Sequence, residues 1–244
     1  MKERRVKVIF AKDLKRGIRA GLPIGLGYFP VSLAFGFFAV SGGLPVWTAV
    51  LISLTNLTSA GQFAGTNLII AGAGYIEIAL TTFVINLRYM LMSLSLSQKV
   101  DEKVTLFQRM LFAFGITDET FVVASMASKK LKAGYMLGLI ILPVAGWNLG
   151  TIVGACVSNL LPLALQNAMG IALYAMFIAL IIPAARENIK LLVVILMAVV
   201  VMCLFKYVSI FNFISSGFRV IIATAAAAAL GALLFPSENE VHDE

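Results

Sequence analysis

Hydrophobic positions in this chain do not alternate with polar ones. They gather into long runs parted by short breaks. Eight runs, at 21–41, 46–72, 75–97, 105–128, 134–157, 163–183, 190–207 and 217–235, are long enough as helices to cross a bilayer, whose hydrocarbon is about 30 Å thick against a rise of about 1.5 Å per residue. The joints carry helix breakers: SGGLP at 41–45, GAG at 72–74, LP at 161–162, and Pro183 before ARENIK. A membrane barrel would instead show segments of about 10 residues with alternating polarity. The pattern therefore predicts an all-α integral membrane protein, a polytopic bundle of about eight transmembrane helices. A re-entrant piece within 46–72 or 105–128 reduces the count to seven.

Composition agrees. Of the 244 residues, 60% are hydrophobic and 13% charged, where a soluble domain carries about 25% charged. The solvent is mostly lipid, so every backbone polar group must be satisfied within the protein. Charge is concentrated. Residues 1–20, MKERRVKVIFAKDLKRGIRA, hold eight Lys/Arg and read as a basic amphipathic arm on an anionic inner leaflet. Residues 21–235 read as one transmembrane domain and 236–244 as an acidic tail. With the N-terminus cytoplasmic and eight alternating spans, the inside segments collect 13 basic residues: the eight of the arm, then Lys129, Lys130, Lys132, Arg186 and Lys190. Both termini come out cytoplasmic, as in a multi-pass protein of a cytoplasmic membrane. The alternation also sends QKVDEKV, at 98–104, outside with Lys99 and Lys103, which is basic for an outside loop. The net charge of +7 thus reports topology, and no nucleic acid is implied. Cys156 and Cys203 sit in apolar runs and read as small buried hydrophobes. The single histidine, His242, lies in the tail, so neither a metal site, a cofactor site nor a His-based triad can be assembled.

Polar residues inside the runs cluster in three places. The second run carries Thr55, Asn56, Thr58, Ser59, Gln62, Thr66 and Asn67 among Gly61 and Gly65. The third carries Asn86 and Arg88, and the fourth Thr117, Asp118 and Glu119. Counted from the loop near residue 101, Arg88 and Asp118 lie roughly 20 and 25 Å deep on successive helices. A charge at that depth costs at least about 2.5–3.5 kcal/mol unless paired or wetted. Thr-Asp-Glu is also helix-start chemistry, so the fourth run is expected to break near 115–117 and restart. The acids are then either a cap tied to Arg88 as a staple, or groups facing a cavity. The Thr/Asn/Gln face of the second run is either interhelical glue or part of the same site. Trp147, deep in the fifth run, either packs in the core or lines a cavity. Trp47 and Tyr207 read as interfacial anchors, and Glu77 as a snorkelling acid at a cytoplasmic span end.

The stretches GLPIGLGYFPVSLAFGFFAV, SAGQFAG, NLRYMLMSLSLS, GITDETF, WNLGTIVGA and MFIALIIPAAR together resemble the azaleucine-resistance family, AzlC, from about residue 15 to 190. Members often carry His after Asn-Leu-Arg, where this chain has Tyr89. The resemblance implies the large subunit of a bacterial exporter of branched-chain and related apolar amino acids. It also implies a small AzlD-like membrane subunit as partner. A zwitterion needs an anion site and a cation site in an otherwise apolar pocket. Arg88 or a helix start suits the carboxylate and Asp118 or Glu119 the ammonium, with Asn56, Gln62, Asn86 and Trp147 completing the candidate site. Two adjacent carboxylates resist double ionisation, so Glu119, or Asp118, is the candidate proton carrier for coupling to the proton motive force. A channel or a transporter of another small polar solute is the alternative. A membrane enzyme lacks its nucleophile and base here, and a scaffold has little use for three charges at one depth.

Overall fold

The computed structural model describes residues 2–127, 130–158, 188–211 and 213–235, with isolated positions between 178 and 186. The expected span at 163–183 and the acidic tail at 236–244 lie outside the described residues. Among those described, the chain is helical, with one isolated bridge between Val100 and Leu131. The helices are α1 (Lys2–Ser41), α2 (Val46–Thr55), α3 (Ala60–Ile70), α4 (Tyr75–Ser97), α5 (Leu106–Ala113), α6 (Asp118–Ser125), α7 (Ala133–Val157), α8 (Ile189–Tyr207) and α9 (Ser216–Leu234). Among the described residues, five segments are long and apolar enough to cross a membrane: Phe10–Ser41 of α1, then α4, α7, α8 and α9. The basic arm and the first apolar run form one uninterrupted helix.

Two of the eight expected spans are not spans. The run 46–72 is α2 and α3, of 10 and 11 residues, and the run 105–128 is α5 and α6, of 8 residues each. At about 1.5 Å per residue each piece is some 12–16 Å long, half a bilayer. Each pair enters and returns. Ser53 meets Thr151 through their hydroxyls and Leu57 packs with Trp147, so α2 descends along α7. Helix α3 then climbs back along α4, as Gly61 lies on Asn86 and Gly65 on Thr82, and it finishes with Ile70 against Gly42. The second pair is closed at its base: Asp101 N donates to Leu131 O at 2.9 Å and Leu131 N to Lys99 O at 2.8 Å. Lys130 also pairs with Glu102 at 3.0 Å, and Lys132 with Asp13 at 3.3 Å.

These contacts correct the sequence-based topology. The 98–104 loop does not lie opposite the 130–132 segment; they are paired at one end, next to the basic part of α1. That end gathers Lys12, Lys15, Arg16, Arg19, Lys99, Lys103, Lys130 and Lys132. The loops 42–45 and 71–74, at the other end, carry no charge. Glu77 moves with them. It is not a snorkelling acid at the basic end but is 9% exposed at the opposite end, where it accepts the Gly217 N–H of α9 at 2.7 Å, two residues from Arg219. Cys156 and Cys203 are free thiols on the exposed outer surface, not buried.

The frame that carries the hairpins is the α1–α7 pair, which runs parallel and in close contact. A Cβ on Gly17 would strike Tyr135, one on Gly21 would strike Leu139, and one on Gly154 would strike Leu33. Small residues let the two backbones approach and gain dispersion that lipid cannot supply. The outer part of this core is Phe35, Ala39, Ala49, Phe63 and Ala155, with Phe35 edge-on to Phe63 at 5.2 Å.

Candidate functional site

The hairpin tips, one from each end of the bundle, meet at mid-depth. Helix α2 stops at Asn56, whose φ of −140° and ψ of 83° leave the helical region. Helix α3 restarts after Ser59, which holds a φ of +47°. This unwound stretch is held from within and from α4. Thr58 Oγ1 donates to Asn56 Oδ1 at 2.7 Å, and Tyr89 Oη donates to the Thr58 carbonyl at 3.1 Å. Irregular backbone at membrane depth persists only where protein or a wet cavity satisfies it.

The opposing tip follows the sequence expectation closely. Helix α5 ends at Ala113, and α6 begins at Asp118 under a capping box: Thr120 N donates to Thr117 Oγ1, and Thr117 N donates to Thr120 Oγ1 at 2.7 Å. Gly115 is required at the turn, since a Cβ there would sit against Ile140 of α7. Two helix starts, at Ala60 and Asp118, thus face one space, and helix starts carry partial positive charge.

That space is a cavity of about 490 Å³ bounded by α1, α4, α7 and both tips. Its walls are apolar, with Pro23, Ile24, Val31, Leu57 and Trp147. Its polar groups stand together. Arg88 Nη1 lies 3.1 Å from Asp118 Oδ2, with both side chains 43% exposed, so the pair is open to the cavity. Arg88 Nη2 also donates to Tyr89 Oη at 3.1 Å and the guanidinium lies over the Tyr89 ring. Glu119 points elsewhere: it accepts from the Tyr28 hydroxyl, which is also 2.6 Å from Thr117 Oγ1. Tyr28 in turn stacks edge-on against Trp147 at 5.3 Å.

The nominated residues divide into two groups. Arg88, Asp118, Glu119 and Trp147 share the cavity. Asn56, Gln62 and Asn86 line a separate recess between α2, α3 and α4. Gln62 links the two. It accepts from Trp147 Nε1 at 3.0 Å and donates to Ser53 Oγ at 2.6 Å, so this fully buried amide orients the indole that floors the cavity. Trp147 is therefore both core and lining. Tyr28 is absent from the sequence-based site, and Thr58 and Tyr89, though polar landmarks in the sequence, are not among its nominated residues. A hydroxyl on an aromatic ring in mid-span must find a partner, and that requirement was the available signal for both tyrosines.

Together these features define a polytopic helical membrane protein whose two broken hairpins enclose a charged, solute-sized cavity at mid-depth. Residues 23–161 match the family model described as AzlC protein, and the chain belongs to that family. It is 29% identical over 179 residues to the inner membrane protein YgaZ of Escherichia coli strain K12, covering 70% of this chain and 73% of that one. It is likewise 29% identical over 174 residues to a membrane protein of Archaeoglobus fulgidus, covering 69% and 74%. A membrane protein of Helicobacter pylori strain J99 is 26% identical over 182 residues, covering 73% and 78%. No solved structure matches the chain.

Proposed function

We propose that the chain is the main subunit of a secondary transporter that exports branched-chain and related apolar amino acids across the cytoplasmic membrane, driven by the proton motive force. The observation that carries this reading is the Arg88–Asp118 pair, half-exposed rather than sealed by packing, in the lining of an apolar cavity. A zwitterionic amino acid can replace that pair with its own charges: its carboxylate on Arg88 and the helix starts, its ammonium on Asp118. The substrate is neutral overall, so the exchange leaves the net charge of the cavity unchanged and keeps Arg88 and Asp118 each paired. The apolar wall then receives the side chain, and burying a Val- or Leu-sized group contributes about 1.5–3 kcal/mol. Such a wall separates side chains differing by one methylene only weakly, by about 1–3 kcal/mol, which suits a carrier of several aliphatic amino acids.

Glu119 is the proposed proton carrier. It lies beside Asp118 but contacts Tyr28, so it can exchange a proton without breaking the Arg88 pair. The exposed apolar surface of α4, including Phe83, Leu91 and Leu94, offers a place for the small AzlD-like subunit. With the basic end in the cytoplasm, the orientation follows the positive-inside bias. The test is efflux of Val, Leu, Ile and Met, with a charged amino acid as control. It is run in cells carrying this chain with and without the neighbouring small membrane protein. Efflux of the aliphatic set that requires both proteins and collapses with an uncoupler is expected. Non-saturating downhill flux of the control as well would instead indicate a channel.

A further inference from the structure

The second recess holds about 560 Å³ between α2, α3 and α4, on the side of the α2–α3 tip away from the basic end. Asn56, Gln62, Thr66, Thr82 and Asn86 are among its lining, and no Asp, Glu, Lys or Arg is. Two of these groups are unfinished. Thr66 is 1% exposed, yet its Oγ1 has no hydrogen-bond partner, and neither does the buried Asn86 Oδ1. A buried polar atom without a partner costs about 1–3 kcal/mol, and here both atoms belong to residues that line one recess and lie just beneath its surface. Only the α2–α3 tip separates this recess from the central cavity. Thr58, Ser59 and Ala60 face the cavity, while Asn56 and Gln62 face the recess. The plug is thin: Asn86 Oδ1 rests directly on Gly61, where any side chain would collide with it. The backbone there is also strained, with Ser59 at a φ of +47°, a region disfavoured for residues with a Cβ.

We propose that this recess is a second binding station for the same zwitterionic substrate, occupied after it leaves the central cavity, with the Thr58–Gly61 tip and Asn86 as the gate between the two. The claim rests on the transport reading above. An amino acid is neutral overall, so uncharged donors and acceptors can hold either of its polar groups. Lacking a counter-charge, the recess holds it more weakly than the cavity does. A path of that kind needs such a station, one favourable enough to enter and weak enough to leave.

Single cysteines test this in the full-length protein, in a background with Cys156→Ser and Cys203→Ser. Thr82→Cys reports the recess. Gly27→Cys reports the cavity, where an added Cβ meets open space. A membrane-impermeant methanethiosulfonate is applied from each face, with and without leucine. Thr82→Cys is expected to react from the face opposite the basic end. Leucine at ten times its dissociation constant is expected to slow that reaction about tenfold. Ala79→Cys, on the same wall, repeats the measurement should Thr82→Cys fail to insert. The proposal is overturned if the recess cysteines do not react. It is also overturned if leucine protects Gly27→Cys but leaves the recess cysteines unprotected, an outcome under which the transport reading survives. If leucine protects neither position, the substrate reading has failed and the second station falls with it.

Discussion

At the scale of the residue, the adjacent acids are not equivalent, because successive positions on a helix point about 100° apart. Asp118 meets Arg88, whereas Glu119 meets Tyr28. The Arg88 pair is open to a cavity, so water can stand in for a lost carboxylate. Asp118→Asn is therefore expected to leave abundance within about twofold and to weaken substrate binding about tenfold or more, a loss of at least about 1.4 kcal/mol. Glu119→Gln keeps a side chain that can bond to Tyr28 but cannot release a proton. It is expected to retain exchange of substrate across the membrane and to lose accumulation against a gradient. Tyr28→Phe keeps the ring on Trp147 and removes only the hydroxyl, so it should share the Glu119→Gln profile in milder form. Abundance by immunoblot, counterflow and uphill efflux, measured on each variant, check the division. Identical profiles for Asp118→Asn and Glu119→Gln would remove it.

At the scale of the element, glycines on α1 and α7 set how near the hairpins come to one another. A Cβ on Gly138 would collide with the Leu14 carbonyl on α1 and would crowd Ile18 N at 3.0 Å. These are backbone atoms in the centre of a helix and cannot move aside. Gly138→Val is expected to destabilise the protein by at least about 1–3 kcal/mol, the usual range for overpacking. It should lower the melting temperature in detergent, while Gly74→Ala, where nothing lies within 4 Å, should leave it unchanged. How well each element could be read from sequence follows the same physics. The long helices were legible, since one apolar run of sufficient length can do little else in lipid. The restart at Asp118 was legible too, because Thr117 and Gly115 announce a cap and a turn. The turn at 56–59 was legible only as a re-entrant alternative within 46–72. Polar residues spread from Thr55 to Asn67 without marking one break, and the turn rests on Tyr89 reaching Thr58 from another helix. No local pattern encodes that contact. Asn56, Gln62 and Asn86 were grouped with Arg88 for the same reason: a straight second span would have presented them at the same depth.

At the scale of the whole molecule, two hairpins entering from opposite ends exchange which loops share a face. Eight alternating crossings put 98–104 opposite 129–132 and put 72–74 beside the N-terminus. The structure does the reverse on both counts: Val100 pairs with Leu131, and Ile70 packs on Gly42. The charges had hinted at this, because Lys99 and Lys103 are costly on the translocated side, and the re-entrant α5–α6 pair removes that conflict. The resulting separation is complete in the loops around the hairpins, with basic residues at one end and SGGLP and AGAG at the other. Single cysteines at Lys103, Lys130 and Gly74, in the cysteine-free background, decide between the two topologies. In intact cells an impermeant maleimide is expected to label Gly74→Cys and to spare Lys103→Cys and Lys130→Cys until the membrane is opened. Alternating spans give the opposite result at both Gly74 and Lys103. The outcome also fixes which face each space serves. With the basic end inside, the recess beyond the α2–α3 tip faces outward, so substrate moving from the charged cavity to the recess moves outward, while the driving gradient sets which way the net flux runs.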